Sequence, residues 1–155
     1  MKFGSKHKGC GGFTIVELVA VMVLLGIMAV AAVVAFDVPA ADLDAIARKL
    51  QSNIQLAQDF AMTHGSTYGF RAIDSANYEI FEGIPGSPAK DPLGSGSLLI
   101  DISPVVFVGS PPTITFNSVG VPDIASDSTI VLTQSGVTKV ITVRSETGFV
   151  TTSSP

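Results

Sequence analysis

The sequence predicts an α+β protein, a long N-terminal helix packed on antiparallel β-sheet, and three observations carry that expectation. Leu18 to Phe36 is a run of nineteen residues without a charge. Asp42 to His64 switches to apolar residues spaced three and four apart. After Gly65 the chain becomes rich in Val, Ile, Thr and Phe, punctuated by Gly, Pro, Asp and Asn. With 155 residues the chain has room for one small domain and an appendage, which excludes multidomain enzyme architectures. Only 14% of residues are charged against 46% apolar, and the mean hydropathy is +0.50, so the chain is no disordered tail.

The uncharged run is interrupted only by Gly26 among Leu, Val, Ile, Met, Ala and Phe. A hydrocarbon core of roughly 30 Å needs about 20 apolar helical residues, so residues 13–36 are expected to cross a membrane. Lys2, Lys6 and Lys8 precede the run with no acid, net +3. From Asp37 to Pro155 there are six basic and twelve acidic residues, net −6. Basic flanks stay inside, which predicts a single-pass protein with a cytoplasmic N-terminus and an exported C-terminal domain. An acidic exported domain is poorly suited to nucleic acid, whose affinity comes from Lys and Arg at phosphates. The single cysteine, Cys10, cannot form an intramolecular disulfide, so the exported domain must hold by packing.

Three processing routes compete at this N-terminus. A secretory signal would use Ala29-Val30-Ala31, but its apolar core is normally about 7–15 residues, shorter than this run. A lipoprotein signal places its cysteine after the apolar run, whereas Cys10 precedes it. The third route cleaves before the run, and Gly11-Gly12-Phe13-Thr14-Ile15-Val16-Glu17 carries it. These residues resemble the signal of the type IV pilin and pseudopilin superfamily, in which a short basic leader ends in Gly and is followed by Phe-Thr-x-x-Glu opening an apolar helix. The resemblance implies cleavage between Gly12 and Phe13 by a prepilin peptidase, N-methylation of Phe13 by the same enzyme, and an assembly role for Glu17. It makes residues 1–12 a leader and implies partners in other pilin or pseudopilin subunits, an inner-membrane assembly platform and the lipid bilayer.

Glu17 has a physical reading of its own. A carboxylate deep in a lipid-facing helix costs roughly 2.5–3.5 kcal/mol, so such acids usually have a partner. Cleavage would leave an amine on Phe13 four residues away, close enough for a pair within one helical turn. The resemblance implies instead a pair between Glu17 of one subunit and the Phe13 amine of its neighbour. A third reading makes Glu17 a marker of the membrane boundary. Gly26 and Pro39 are expected to weaken the rod locally, or, for Gly26, to admit a close helix neighbour. Major pilins commonly carry a Pro near the position of Val34; this chain has Pro39 instead, which leans toward a minor subunit.

Residues 37–64 are expected to continue the helix into the domain. Leu43, Ile46, Ala47, Leu50, Ile54, Ala57, Phe60 and Ala61 make one apolar face, with Arg48, Lys49, Gln51, Gln55 and Asp59 on the other. Asp42 is expected to cap its start and Gly65 to end it. A continuous helix from Phe13 to His64 would span about 78 Å. Residues 65–155 are expected to be β-rich, with strands at 67–72, 78–81, 98–102, 105–108, 113–116, 128–133 and 139–144. Residues 83–97, dense in Gly, Pro and Ser, are expected to be neither helix nor strand but a surface loop.

The segments Thr113-Ile114-Thr115-Phe116-Asn117-Ser118-Val119-Gly120 and Val140-Ile141-Thr142-Val143-Arg144, followed by Glu146-Thr147-Gly148-Phe149-Val150, resemble the C-terminal domain of H-type minor pseudopilins of type II secretion, and of related T-type fimbrial and mannose-sensitive haemagglutinin minor pilins. Gly120 and Gly148 are expected to take positive φ in turns. No catalytic motif is present, and no cofactor or metal is expected. His64 reads as a helix-end cation, and Asp123 with Asp127 is too sparse for a calcium loop. Asp42 with Asp44 reads as a helix-start pair. The function expected is a structural minor subunit of a type II secretion pseudopilus. The alternative is a minor type IV pilin with a binding role in DNA uptake, adhesion or substrate contact, for which Arg71, Lys139 and Arg144 would have to converge into a patch.

Overall fold

The computed structural model describes residues 14–34, 38–92, 94 and 96–154. It is α+β, with two helices, α1 (Ile15–Val34) and α2 (Val38–His64), followed by eight strands. Two compact units meet in sequence at Asp37 and Val38. Continuity of the helix from Phe13 to His64 turns on residues 35–37, which lie outside the described residues.

In the second unit the strands are β1 (Tyr68–Ala72), β2 (Asn77–Glu82), β3 (Leu99–Asp101), β4 (Val106–Phe107), β5 (Ile114–Phe116), β6 (Ser128–Gln134), β7 (Val137–Val143) and β8 (Val150–Ser153). They form two antiparallel four-stranded sheets ordered β3-β2-β1-β5 and β4-β6-β7-β8. One face of α2, the fully buried Leu43, Ala47, Leu50, Ile54, Ala57 and Ala61, forms one core with both sheets. That spacing of four, three, four, three and four is the helical repeat of a single stripe. Phe70 and Tyr78 from the first sheet meet Phe107 from the second with ring centroids 6.2 and 6.3 Å apart, which closes the seam between the sheets.

Period-2 alternation places Ile130, Leu132, Ile141 and Val143 inward. The opposite positions Val106, Val108, Val131, Thr133, Thr138, Val140 and Thr142 carry no charge, so the second sheet's outer face is a Val/Thr surface. The β6–β7 hairpin turns on Ser135 and Gly136, both at positive φ (50° and 83°), the type I′ geometry that matches strand twist.

The strand boundaries move by one or two residues from the sequence expectation, and β8 is an addition: Val150-Thr-Thr-Ser is too short and polar to stand out. One expectation is corrected outright and another refined. Asp42 does not cap α2, because it lies inside the helix, whose described part runs from Val38. The described residues of 83–97 form no helix or strand, as expected, but they are tied to the first sheet. Glu82 N donates to Ser87 O at 2.9 Å and Ala89 N to Ile80 O at 2.8 Å, so 87–89 extend the edge of β2. Pro88 bridges Phe81 without needing an N–H, because its neighbours supply the ladder. Lys90 bridges Ser97, and Ala89 is buried.

Candidate functional site

Gly12 and Phe13 lie outside the described residues; Glu17 stands in the first turn of α1. Thr14 is the N-cap of that helix. Its Oγ1 accepts the Glu17 N–H at 3.2 Å, satisfying one of the amides a helix start leaves without a partner. Thr14-Ile15-Val16-Glu17 is thus half of a capping box, a signal present in the sequence but read there only as a processing motif. Among the described residues the Glu17 carboxylate has no ion-pair partner.

From Thr14 to Met28 every side chain of α1 is exposed, Ile15 by 84% and Met28 by 69%. No polar face balances them, so in water this helix would leave a continuous apolar surface uncovered. Among the described residues no helix is long and apolar enough to cross a membrane. The described side chains of α1 end at Met28, short of the end of the uncharged run. A Cβ added at Gly26 would meet nothing within 4 Å, so a neighbour could approach the backbone there.

The three basic residues that might have formed a patch do not converge. Arg71 Nη2 pairs with the buried Glu79 at 2.8 Å, Lys139 Nζ with Asp44 at 2.6 Å, and Arg144 Nη1 with Asp127 at 2.5 Å. Each cation is committed to an acid of its own neighbourhood. Asp44 therefore does more than start a helix. Hydrogen bonds from Lys139 and then Arg48 hold its carboxyl below the usual carboxylate range and tie α2 to β7. The Ser145 N–H, with Arg144 beside it, does the same for Asp127, so Asp127 serves a turn. No group of three or more His, Cys, Asp or Glu that could hold a metal occurs among the described residues. His64 ends α2 as expected, and its ring also lies 5.3 Å from Phe60 and 5.6 Å from Tyr68.

Of the polar residues read on the far face of α2, Gln51 is not simply solvated, and neither is Gln58, which that reading left out. Gln51 donates to Val150 O at 3.0 Å and accepts the Thr152 hydroxyl at 2.8 Å, joining the helix to the free edge of β8. Gln58 Nε2 donates to Gly120 O and Thr147 O, each at 2.8 Å. The two turns predicted around Gly120 and Gly148, both at positive φ (80° and 69°), thus converge on one amide. A Cβ at Gly148 would lie 2.6 Å from Gln58 Nε2 and 2.9 Å from the Phe116 ring. The paired turn segments that carried the second resemblance are therefore a docking point for α2.

With that geometry in place, the family comparisons are specific. A model described as a prokaryotic N-terminal methylation motif matches residues 7–33, and one described as type II transport protein GspH matches residues 47–148, two thirds of the chain. The chain belongs to the GspH family. The GspH match contains most of α2, its stripe from Ala47 onward and both turn glycines, and the methylation-motif match contains Gly12, Phe13, Thr14 and Glu17. The fold is similar to the crystal structure of the type IV minor pilin FimU of Pseudomonas aeruginosa strain PAO1. In space group P21 the TM-score is 0.56 at 14% identity, covering 73% of this chain and 89% of that one. In space group P65 the values are 0.55, 16%, 72% and 92%. No curated protein sequence matches the chain. This GspH-family chain is a minor pseudopilin or pilin subunit, and the families it matches are of structural subunits rather than enzymes.

Proposed function

We propose that the chain is made as a prepilin, cut between Gly12 and Phe13 by prepilin peptidase, N-methylated on Phe13, and assembled into a type II secretion pseudopilus. Residues 1–12 are the leader, 13–36 the transmembrane and assembly helix, 37–64 its amphipathic continuation, and 65–155 the periplasmic β-rich domain. Before assembly the protein spans the inner membrane once with its N-terminus in the cytoplasm, and the assembly platform draws it from the bilayer. Within the filament, Glu17 takes the Phe13 amine of an adjacent subunit.

The observation that carries this reading is α1 itself, a helix with its described apolar side chains exposed and a lone carboxylate in its capped first turn. Lipid or other helices must cover the first, and an amine is the natural partner of the second. Intact-mass spectrometry of protein extracted from membranes tests the processing: the expected mass lacks Met1 to Gly12 and carries one added methyl. A mature start beyond Ala31 would overturn it. The similarity of fold to a minor pilin favours a second reading, incorporation in a type IV pilus with a binding role. Deleting the gene separates the two, with loss of protein secretion expected for the first and loss of piliation for the second.

A further inference from the structure

At the end of α2 farthest along the chain, three rings gather at the margin of the core: Tyr68 is buried in it, Phe60 packs against it and His64 is exposed. Phe60 and His64 lie one helical turn apart on α2, and Tyr68 opens β1 after the turn at Gly65. Their centroids are 5.3, 5.5 and 5.6 Å apart. With Glu82 from the end of β2 and the segment Ala89 to Pro92, they line an open cavity of about 320 Å³. This is the segment predicted to be a surface loop; its pairing with β2 makes it one wall of the cavity.

The electrostatics of this cavity favour one sign. Aromatic faces attract cations through their quadrupole. The last turn of α2 ends here, with the negative end of the helix dipole. Glu82 adds a carboxylate that has no ion-pair partner among the described residues, and Asp91 a second acid on the wall. Burial, then the Glu82 charge and hydrogen bond, hold the Tyr68 hydroxyl above its usual range, so the ring stays neutral at physiological pH. Opposing a cation are Lys90, exposed on the wall and in no ion pair among the described residues, and the His64 ring in its charged form.

We propose that this cavity binds an organic cation, a guanidinium group above all, stacked on the Phe60 and His64 rings and hydrogen-bonded to Glu82. A guanidinium suits it better than an ammonium because it is planar and weakly hydrated, so it stacks on a ring and presents a fork to a carboxylate together. The same chemistry could arrive on an arginine side chain of another protein or on a free small molecule. The site is independent of the filament reading, since it lies wholly within the unit from Val38 onward.

The test is an NMR titration of the full chain in detergent micelles, following the amide and aromatic signals of His64, Tyr68 and Glu82. The probes are N-acetyl-arginine amide and its neutral isostere N-acetyl-citrulline amide. Saturable millimolar shifts are expected with the arginine probe, and binding weaker by about fivefold or more with citrulline. Glu82→Gln should weaken arginine binding by roughly the same factor, while Lys90→Gln, which removes a like charge from the wall, should tighten it about two- to threefold. A structural role for either residue would not produce that opposition. Equal binding of the two probes, absence of saturable shifts in the wild type, or tightening absent in Lys90→Gln would overturn the proposal; Lys90 is exposed, so that variant reads binding without disturbing the fold. Alkylguanidinium and an Arg-containing tripeptide form the last comparison. Tighter binding of the tripeptide supports an arginine on a partner chain, and equal binding supports a free cation.

Discussion

Glu17 occupies the third position of α1, and its own amide is already taken by Thr14 Oγ1. The cap fixes where the helix starts, and so fixes the turn on which the carboxylate sits. Losing a Thr cap typically costs about 1 kcal/mol of local helix stability, and serine retains the hydroxyl. Thr14→Val should therefore accelerate amide hydrogen exchange at Glu17 roughly fivefold while Thr14→Ser leaves it close to wild type; an unchanged rate in the valine variant would remove the cap from the argument. Glu17 itself is predicted to matter to assembly alone. Glu17→Ala should insert normally in membranes and be missing from sheared filaments, and normal incorporation would return Glu17 to a boundary marker. A different acid, Glu79, holds the domain together. Only 3% of its side chain is exposed, and it accepts from Arg71 at 2.8 Å and from the Gly86 N–H at 2.7 Å. Glu79→Ala leaves Arg71 Nη2 and the Gly86 amide without that acceptor, beside an Arg71 Nε that is already buried without one. A loss of about 2–3 kcal/mol in urea unfolding is expected, somewhat below that of a fully buried pair because Arg71 is about one-third exposed.

At the scale of elements, the glycines that matter are those with something beside them. A Cβ on Gly69 would collide with the Ile114 carbonyl and the Phe81 ring, both fixed in the first sheet. Gly69→Ala should cost roughly 2–4 kcal/mol, because neither the β5 backbone nor a buried ring can yield. Gly136→Ala is the contrast: its φ is 83°, yet nothing lies within 4 Å, so only the backbone penalty of about 1–2 kcal/mol applies. Equal losses in the two variants would show that space at Gly69 is not what limits it. These elements differ in how far the sequence reveals them. The stripe from Leu43 to Ala61 and the strands around Phe70, Ile80, Ile130 and Ile141 were legible, because burial on one face imposes a period that survives in one dimension. The pairing of Ser87 to Ala89 with β2 was not, since backbone ladders at a sheet edge leave no side-chain pattern and Pro88 argues locally against one. Gln51 and Gln58 were hidden for a related reason: a glutamine bridging a distant carbonyl looks, in sequence, like any solvated glutamine.

At the scale of the molecule, charge divides along the chain as hydropathy does. Lys2, Lys6 and Lys8 precede α1, while twelve of the thirteen acids lie from Asp37 onward, where Arg71, Lys139 and Arg144 are each held by an acid. The methylation motif was legible from the sequence because it is short, contiguous and joined to an apolar run. The fate of the basic side chains was not, because Lys139 and Asp44 are far apart in the chain. That distribution fixes the response to acid. Asp44, Asp74, Asp101 and Asp127 all have carboxyls held below 3.8: Asp44 by Lys139, Asp74 by the Ala76 N–H, Asp101 by the Ser103 N–H and Asp127 by the Ser145 N–H, each as the foremost cause. A depressed folded value means the unfolded chain binds protons first as pH falls. The stabilisation is complete well above 3.8 and is lost as pH drops through the folded values. Tyr78 acts at the other end. Burial pushes its hydroxyl up to about 12 from 10.0, so the folded domain keeps a proton that the unfolded chain releases, and stability falls as pH rises from about 10 toward 12. Thermal unfolding of the full chain in detergent should therefore give a plateau through neutral pH with a descent on each side. Tyr78→Phe lowers the plateau, through the lost hydrogen bond from Asn53, and flattens the alkaline limb while leaving the acid limb in place. An alkaline limb unchanged in that variant would assign it to other groups.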